Sequence, residues 1–151
     1  MANTQAMCTS FKSEILQAYH NFGTTVTRAG TGADTFKAAL YLTSATINAS
    51  TTAYTATGEV TGTNYTAGGV TVTNATAPTT IGTTAYWTPS ASLTYTNVTL
   101  STAFDTVLIY NSTQSNRAVS VHTFGSQTVT AGTFTLTMPT NAAGTALLNI
   151  A

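Results

Sequence analysis

The stretch FDTVLIYNSTQSNRAVSVHTF, Phe104 to Phe124, decides how the rest of the chain reads. From Thr106 to Tyr110 the apolar residues Val107, Leu108 and Ile109 follow one another without alternation. A β-prone run that keeps no polar side belongs to a strand buried on both faces, and so to the middle of a sheet. Asn111 to Asn116 is a cluster of turn formers, and Ala118 to Phe124 is strand-like again. No helical period separates the two runs, so they pair antiparallel. Upstream, Phe36, Ala38, Leu40 and Leu42 share one parity and Lys37, Ala39, Tyr41 and Thr43 the other, the period of a strand with a buried face. Similar runs recur at Val70 to Asn74, Ala85 to Thr88, Leu93 to Leu100, Thr133 to Met138 and Ala146 to Ile150. Gly58, Gly62, Gly68-Gly69, Pro78, Gly82, Pro89 and Gly125 punctuate them as turns. Short strands spaced about a dozen residues apart predict an all-β, antiparallel β-sandwich over residues 36–150, of jelly-roll or immunoglobulin-like type.

Before this region the period changes. Cys8, Phe11, Ile15, Leu16, Tyr19 and Phe22 recur at three and four residues, which predicts one N-terminal amphipathic α-helix over residues 8–22. Thr9 or Ser10 is the N-cap and Gly23 the C-cap, with Lys12, Glu14 and Gln17 facing solvent. The stripe Phe11, Ile15 and Tyr19 is the expected packing element, laid across an open end of the sandwich or against a neighbouring subunit. Thr24 to Thr35 reads as a loop.

At 151 residues the chain is read as a single domain, 1–151. Its composition is unusual: Lys and Arg number 4, Asp and Glu number 4, and charged residues are 5% of the chain, against roughly 25% in an average soluble protein. There is no basic field for phosphates, so no nucleic-acid partner is expected. An acidic, disordered solvating chain is excluded as well. Thr, by contrast, occurs 38 times and occupies the outward parity of several strands, as in Thr94 and Thr96 or Thr133, Thr135 and Thr137. Hydroxyls hydrate a sheet surface without charge and can exchange water for a neighbour's hydrogen bonds at low cost. With net charge +0, copies repel one another weakly and association is expected. The single Cys8 allows no internal disulfide. No apolar run reaches the ~18 residues of a membrane span, and the first residues lack the charged and apolar regions of an export signal.

Few residues are available for chemistry. The acids are Glu14, Asp34, Glu59 and Asp105 and the histidines His20 and His122. On a continuous helix Glu14 and His20 fall on different faces, and neither has a second ligand at three or four residues, so no metal site is expected. Ser120, His122 and Asp105 can be written as a triad, but no nucleophile elbow accompanies them, and His122 reads as a structural histidine. Gly30-Thr31-Gly32 and Gly68-Gly69 lack the flanking pattern of a phosphate loop. No catalytic residue and no cofactor is expected. Asp105 and Arg117 read as solvated charges, with an ion pair between them as the alternative. The sequons at Asn48, Asn64, Asn74, Asn97 and Asn111 follow from the Ser and Thr content. Ranked T-x-T repeats raise an ice-binding alternative, but their spacing is irregular. Tyr86 and Trp87, beside Thr88-Pro89, are candidate binding residues, as an exposed sugar-stacking pair or as part of the core or a subunit interface.

The segments FKAALYLTSATINASTTAYTATGEVTGTNYTAGG (residues 36–69) and FDTVLIYNSTQSNRAVSVHTFGSQTVTAGTFTLTMP (104–139), preceded by MCTSFKSEILQAYHNF (7–22), resemble a family of small Thr-rich virion structural proteins of tailed bacteriophages. The resemblance extends from Met7 to Ala151 and implies a particle protein of decoration, cement or fibre-like kind, with no catalytic residues to carry over. It implies assembly in a bacterial cytoplasm and location in the virion. The partners expected are the major capsid protein or other virion proteins and further copies of the chain, a trimer first, since shell sites have local threefold symmetry. A tail- or fibre-associated module recognising host glycans through Trp87 is the alternative, and a small hydrolase using His122 a more distant one.

Overall fold

The computed structural model describes residues 3–16, 18–22, 33–73 and 77–151. It is all-β, with two antiparallel sheets and one short helix. The elements in chain order are β1 (Ala6–Met7), α1 (Thr9–Leu16), β2 (Phe36–Leu42), β3 (Val70–Thr71), β4 (Thr79–Ile81), β5 (Thr84–Trp87), β6 (Leu93–Asn111), β7 (Arg117–Leu136) and β8 (Leu148–Ile150). The larger sheet has the order β1-β7-β6-β2-β3, and the smaller β4-β5-β8. No described helix is long and apolar enough to cross a membrane.

β6 is the middle strand of the larger sheet, as the run at Val107 to Ile109 requires. These three residues are at most 3% exposed, and they pair with Leu40, Ala39 and Ala38 of β2 on one side and with His122, Val121 and Ser120 of β7 on the other. β2 is buried on both faces from Ala38 to Tyr41. That is more than its alternation demanded, because the loop 43–69 folds back over it. Val60 N donates to Leu40 O, and Tyr41 forms a bridge with Glu59.

Two expected boundaries are absent. Leu93–Leu100 and Phe104–Tyr110 are one continuous strand, and so are Ala118–Phe124 and Thr133–Leu136, with Gly125 inside β7 rather than at a turn. The ribbon of β6 and β7 changes register repeatedly between Tyr95 and Thr106, and Asn97 (φ 52°) and Ala131 (φ 45°) stand in the left-handed region there. Bulges bend a long hairpin where the sequence suggested separate strands. β3 is shorter than expected, and Asn74 lies outside the described residues. β1 and β4 went unread because two and three residues carry too little periodicity, and all of β4 is exposed.

The helix also departs from expectation. It covers Thr9–Leu16, not residues 8–22. Ala18 takes φ 56°, its N donates to Ile15 O at 3.0 Å, and Tyr19 N donates to Glu14 O at 3.1 Å. These two bonds are the Schellman closure, made here on alanine rather than glycine. The expected cap Gly23, the side chain of Leu16 and the whole of Gln17 lie outside the described residues, as do Arg28 and Gly30-Thr31-Gly32.

Candidate functional site

The reversal at Ala18 rearranges every residue after it. Because the chain turns, His20 comes back beside Glu14, which a longer helix would have prevented: His20 Nε2 lies 2.7 Å from Glu14 Oε2. Glu14, expected in solvent, is 5% exposed, and Arg117 Nη1 reaches its other oxygen at 2.6 Å. The guanidinium of Arg117 also lies 4.2 Å from the ring centre of Tyr19, a cation–π contact.

The network continues into the β6–β7 turn. Asn111 Oδ1 accepts from Thr113 N and Gln114 N, which orients its amide nitrogen toward His20 Nδ1 at 3.2 Å and Asp34 Oδ2 at 2.8 Å. His20 Nδ1 is therefore the acceptor and Nε2–H donates to Glu14, the neutral tautomer. Burial holds the His20 pKa below its usual value, against the opposing pull of Glu14. Asp34 accepts further bonds from Asn21 N and Gln114 Nε2. These residues join the N-terminal segment to the larger sheet.

Beside this network an aromatic cluster joins the two sheets. Phe22 stacks on Phe36 with ring centres 4.3 Å apart, and Trp87 lies 4.7 Å from Phe22. A half-open apolar cavity of about 170 Å³ runs between α1 and the smaller sheet, lined among others by Phe11, Ile15, Phe22, Tyr86, Trp87 and Leu148. Four of the five candidate binding residues thus converge: Phe11, Ile15, Tyr86 and Trp87. The fifth, Tyr19, is half-exposed under Arg117, beyond the end of the helix. Within the expected stripe the roles also differ. Phe11 is 1% exposed and Ile15 37%, so Ile15 lies at the cavity's rim and is not a core anchor. Trp87 is 2% exposed, so the open stacking platform that glycan binding would need is not present at that ring.

A second polar cluster, which the sequence did not signal, surrounds Glu59. This carboxylate is 7% exposed and accepts from Tyr54 OH at 2.6 Å, Tyr65 OH at 2.8 Å and Gly68 N at 2.7 Å. Tyr65 OH accepts from Leu40 N, and Tyr110 OH donates to Gly68 O. Burial raises the pKa of these phenols, that of Tyr110 to about 12. The cluster pins the loop 43–69 to the sheet.

The other sequence candidates separate. His122 Nε2 lies 2.9 Å from Ser120 Oγ, but Asp105 accepts from Asn3 Nδ2 at 2.9 Å and from Thr106 Oγ1 at 2.7 Å. Burial lowers the His122 pKa to about 4. Asp105 and Arg117 are both partly exposed, and they are not paired with each other: each bonds a different element. Asn111 is 0% exposed, so that sequon is closed to modification in the folded chain. Cys8 is buried, and burial lifts its thiol pKa to about 12. Among the described residues no group of three or more His, Cys, Asp or Glu is placed to hold a metal ion.

Comparison of the chain with protein-family models, with curated proteins and with solved structures yields no match in any of the three.

Proposed function

We propose that the chain is a non-enzymatic structural subunit of a tailed-bacteriophage particle, a decoration or cement protein that adheres to the head surface and stabilises it. Its partners are the major capsid protein or other virion proteins, together with further copies of itself. The observation that carries this reading is where the charges lie. Glu14, Asp34 and Glu59 are 5, 6 and 7% exposed, and Asp105 is tied to Asn3 and Thr106. Each carboxylate is engaged in holding one segment to another. Among the described residues those that face outward are mostly threonines and serines, with Ile15, Ile81 and Ile150 as exposed large apolar residues. Such a surface associates by hydrogen bonding and apolar burial, with little electrostatic selection. In this reading the two sheets form a sandwich of jelly-roll or immunoglobulin-like type, with the cavity between α1 and β5 at the end that meets the shell.

The test is a reconstruction of the intact particle. Copies distributed over the head, and a lower temperature of genome release from heads lacking the protein, are the expected results. Copies confined to the tail tip or fibres would overturn the decoration reading in favour of receptor binding.

A further inference from the structure

The imidazole of His20 is held at both nitrogens by groups that fit only its neutral form. Its side chain is 0% exposed, and its ring meets Phe11 edge-on at 4.8 Å and lies over Phe36 at 6.4 Å between ring centres. Nε2–H donates to Glu14 Oε2 at 2.7 Å, and Nδ1 accepts from Asn111 Nδ2 at 3.2 Å. The backbone fixes the direction of the second bond. Asn111 Oδ1 already accepts from Thr113 N and Gln114 N, both at 3.1 Å, so the amide nitrogen faces the ring, and its other hydrogen goes to Asp34 Oδ2 at 2.8 Å.

A proton arriving on Nδ1 would point at a second N–H donor 3.2 Å away. Turning the Asn111 amide over would offer the ring an oxygen, but it would break both bonds that shape the β6–β7 turn and set that oxygen's partner, the amide, away from Asp34. Asn111 is 0% exposed, so water does not replace those bonds. The surrounding charges do not offset the loss. Glu14, from α1, is already shared with Arg117, from β7, at 2.6 Å. Asp34, ahead of β2, reaches the ring only through the Asn111 amide, and across the cavity β5 adds the phenol of Tyr86. Burial accordingly holds the His20 pKa below the usual 6.5, although Glu14 and Asp34 pull it upward.

The ring is easier to move than its partners. It sits on the short segment 18–22, which follows the reversal at Ala18 and is tied to the sheet by Asn21 N on Asp34 Oδ2 and by the packing of Phe22. We infer that protonation of His20 works as a switch that lifts residues 18–22 off the β6–β7 turn. The charged ring moves into water, and Phe22, which stacks on Phe36 at 4.3 Å and lies 4.7 Å from Trp87, moves with it. His20 and Phe22 both line the cavity beside α1, so the same movement widens it. Acid opens this end of the molecule while β2, β6 and β7 stay paired.

Trp87 is the single tryptophan of the chain and is 2% exposed, so its fluorescence reports the movement. The test is a titration of the full chain from about pH 8 to about pH 5, following Trp87 emission, acrylamide quenching, the His20 imidazole signals by NMR, and amide exchange corrected for its intrinsic pH dependence. A red shift and stronger quenching are expected, with a midpoint that coincides with the titration of His20. Opening at residues 19–22 should increase by up to about ten-fold per pH unit below about pH 6.5, the slope of a single linked proton, while the Val107 to Ile109 amides stay protected. His20→Gln, which keeps a donor for Glu14 but takes up no proton, should abolish the change, and His122→Asn should leave it intact. The NMR and exchange titrations are read on the unaltered chain, so they decide the matter even if the glutamine variant folds poorly. Trp87 shielded until the Val107 to Ile109 amides also exchange, a change that persists in His20→Gln, or one that follows the titration of His122 would overturn the switch.

Discussion

Glu14 and Arg117, 103 residues apart in the chain, meet at 2.6 Å, with the carboxylate side chain 6% and the guanidinium side chain 35% exposed. The contact closes the N-terminal segment onto the start of β7, and the same carboxylate holds His20. Removing the arginine leaves a buried acid with one partner fewer.

Arg117→Met is therefore expected to destabilise the fold by about 1 to 3 kcal/mol, less than for a fully buried pair because water reaches the guanidinium. Glu14→Gln should cost a similar amount, and the double variant less than the sum. Urea unfolding of the four proteins measures the coupling; strict additivity would mean that the two groups do not act together.

Phe11 and Ile15 separate two roles that helical spacing had merged. Phe11→Ala is expected to cost about 3 to 5 kcal/mol, as for a large core side chain. Ile15→Ala should cost under about 1 kcal/mol, since the side chain is 37% exposed. Thermal melts of both variants check this, and equal losses would put Ile15 in the core after all.

Acid should destabilise the protein through its histidines. His122 has a folded pKa of about 4, below the usual 6.5 of a free imidazole, because burial disfavours the cation. The unfolded chain therefore takes up the proton first. The stabilising contribution is complete above about pH 6.5 and is lost as pH falls toward about 4, amounting to at most about 3 kcal/mol. His20 shifts in the same direction. Unfolding free energies for His122→Asn across this range should show a shallower acid limb than the unaltered protein.

Tyr65 and Gly69 test the loop over β2. Tyr65→Phe removes a donor to Glu59 and an acceptor for Leu40 N, with an expected loss of about 1 to 3 kcal/mol. Gly69→Ala is expected to be worse. At φ +73° an added Cβ would stand 1.7 Å from Ala38 O, so the loop must leave the strand. Faster exchange at Leu40 and Val60 amides would report that release.

The sequence by itself determined the elements whose signal is local. Val107 to Ile109 had to be central because three consecutive apolar β-formers leave no side for water. β2 followed from its period, and Gly68-Gly69 from turn chemistry. The near absence of charge was legible without coordinates. What only the tertiary structure decided depends on partners distant in sequence. Helical spacing said nothing of the reversal at Ala18, which sends Tyr19 to Arg117, returns His20 to Glu14, and leaves Ile15 at a rim. The Glu59 cluster gathers Tyr54, Tyr65 and Gly68 through loop closure, which periodicity does not encode. The meeting of Asn111 with His20 is likewise a property of topology: pattern shows that a strand exists, but which polar groups find a partner is decided only when the whole chain has packed.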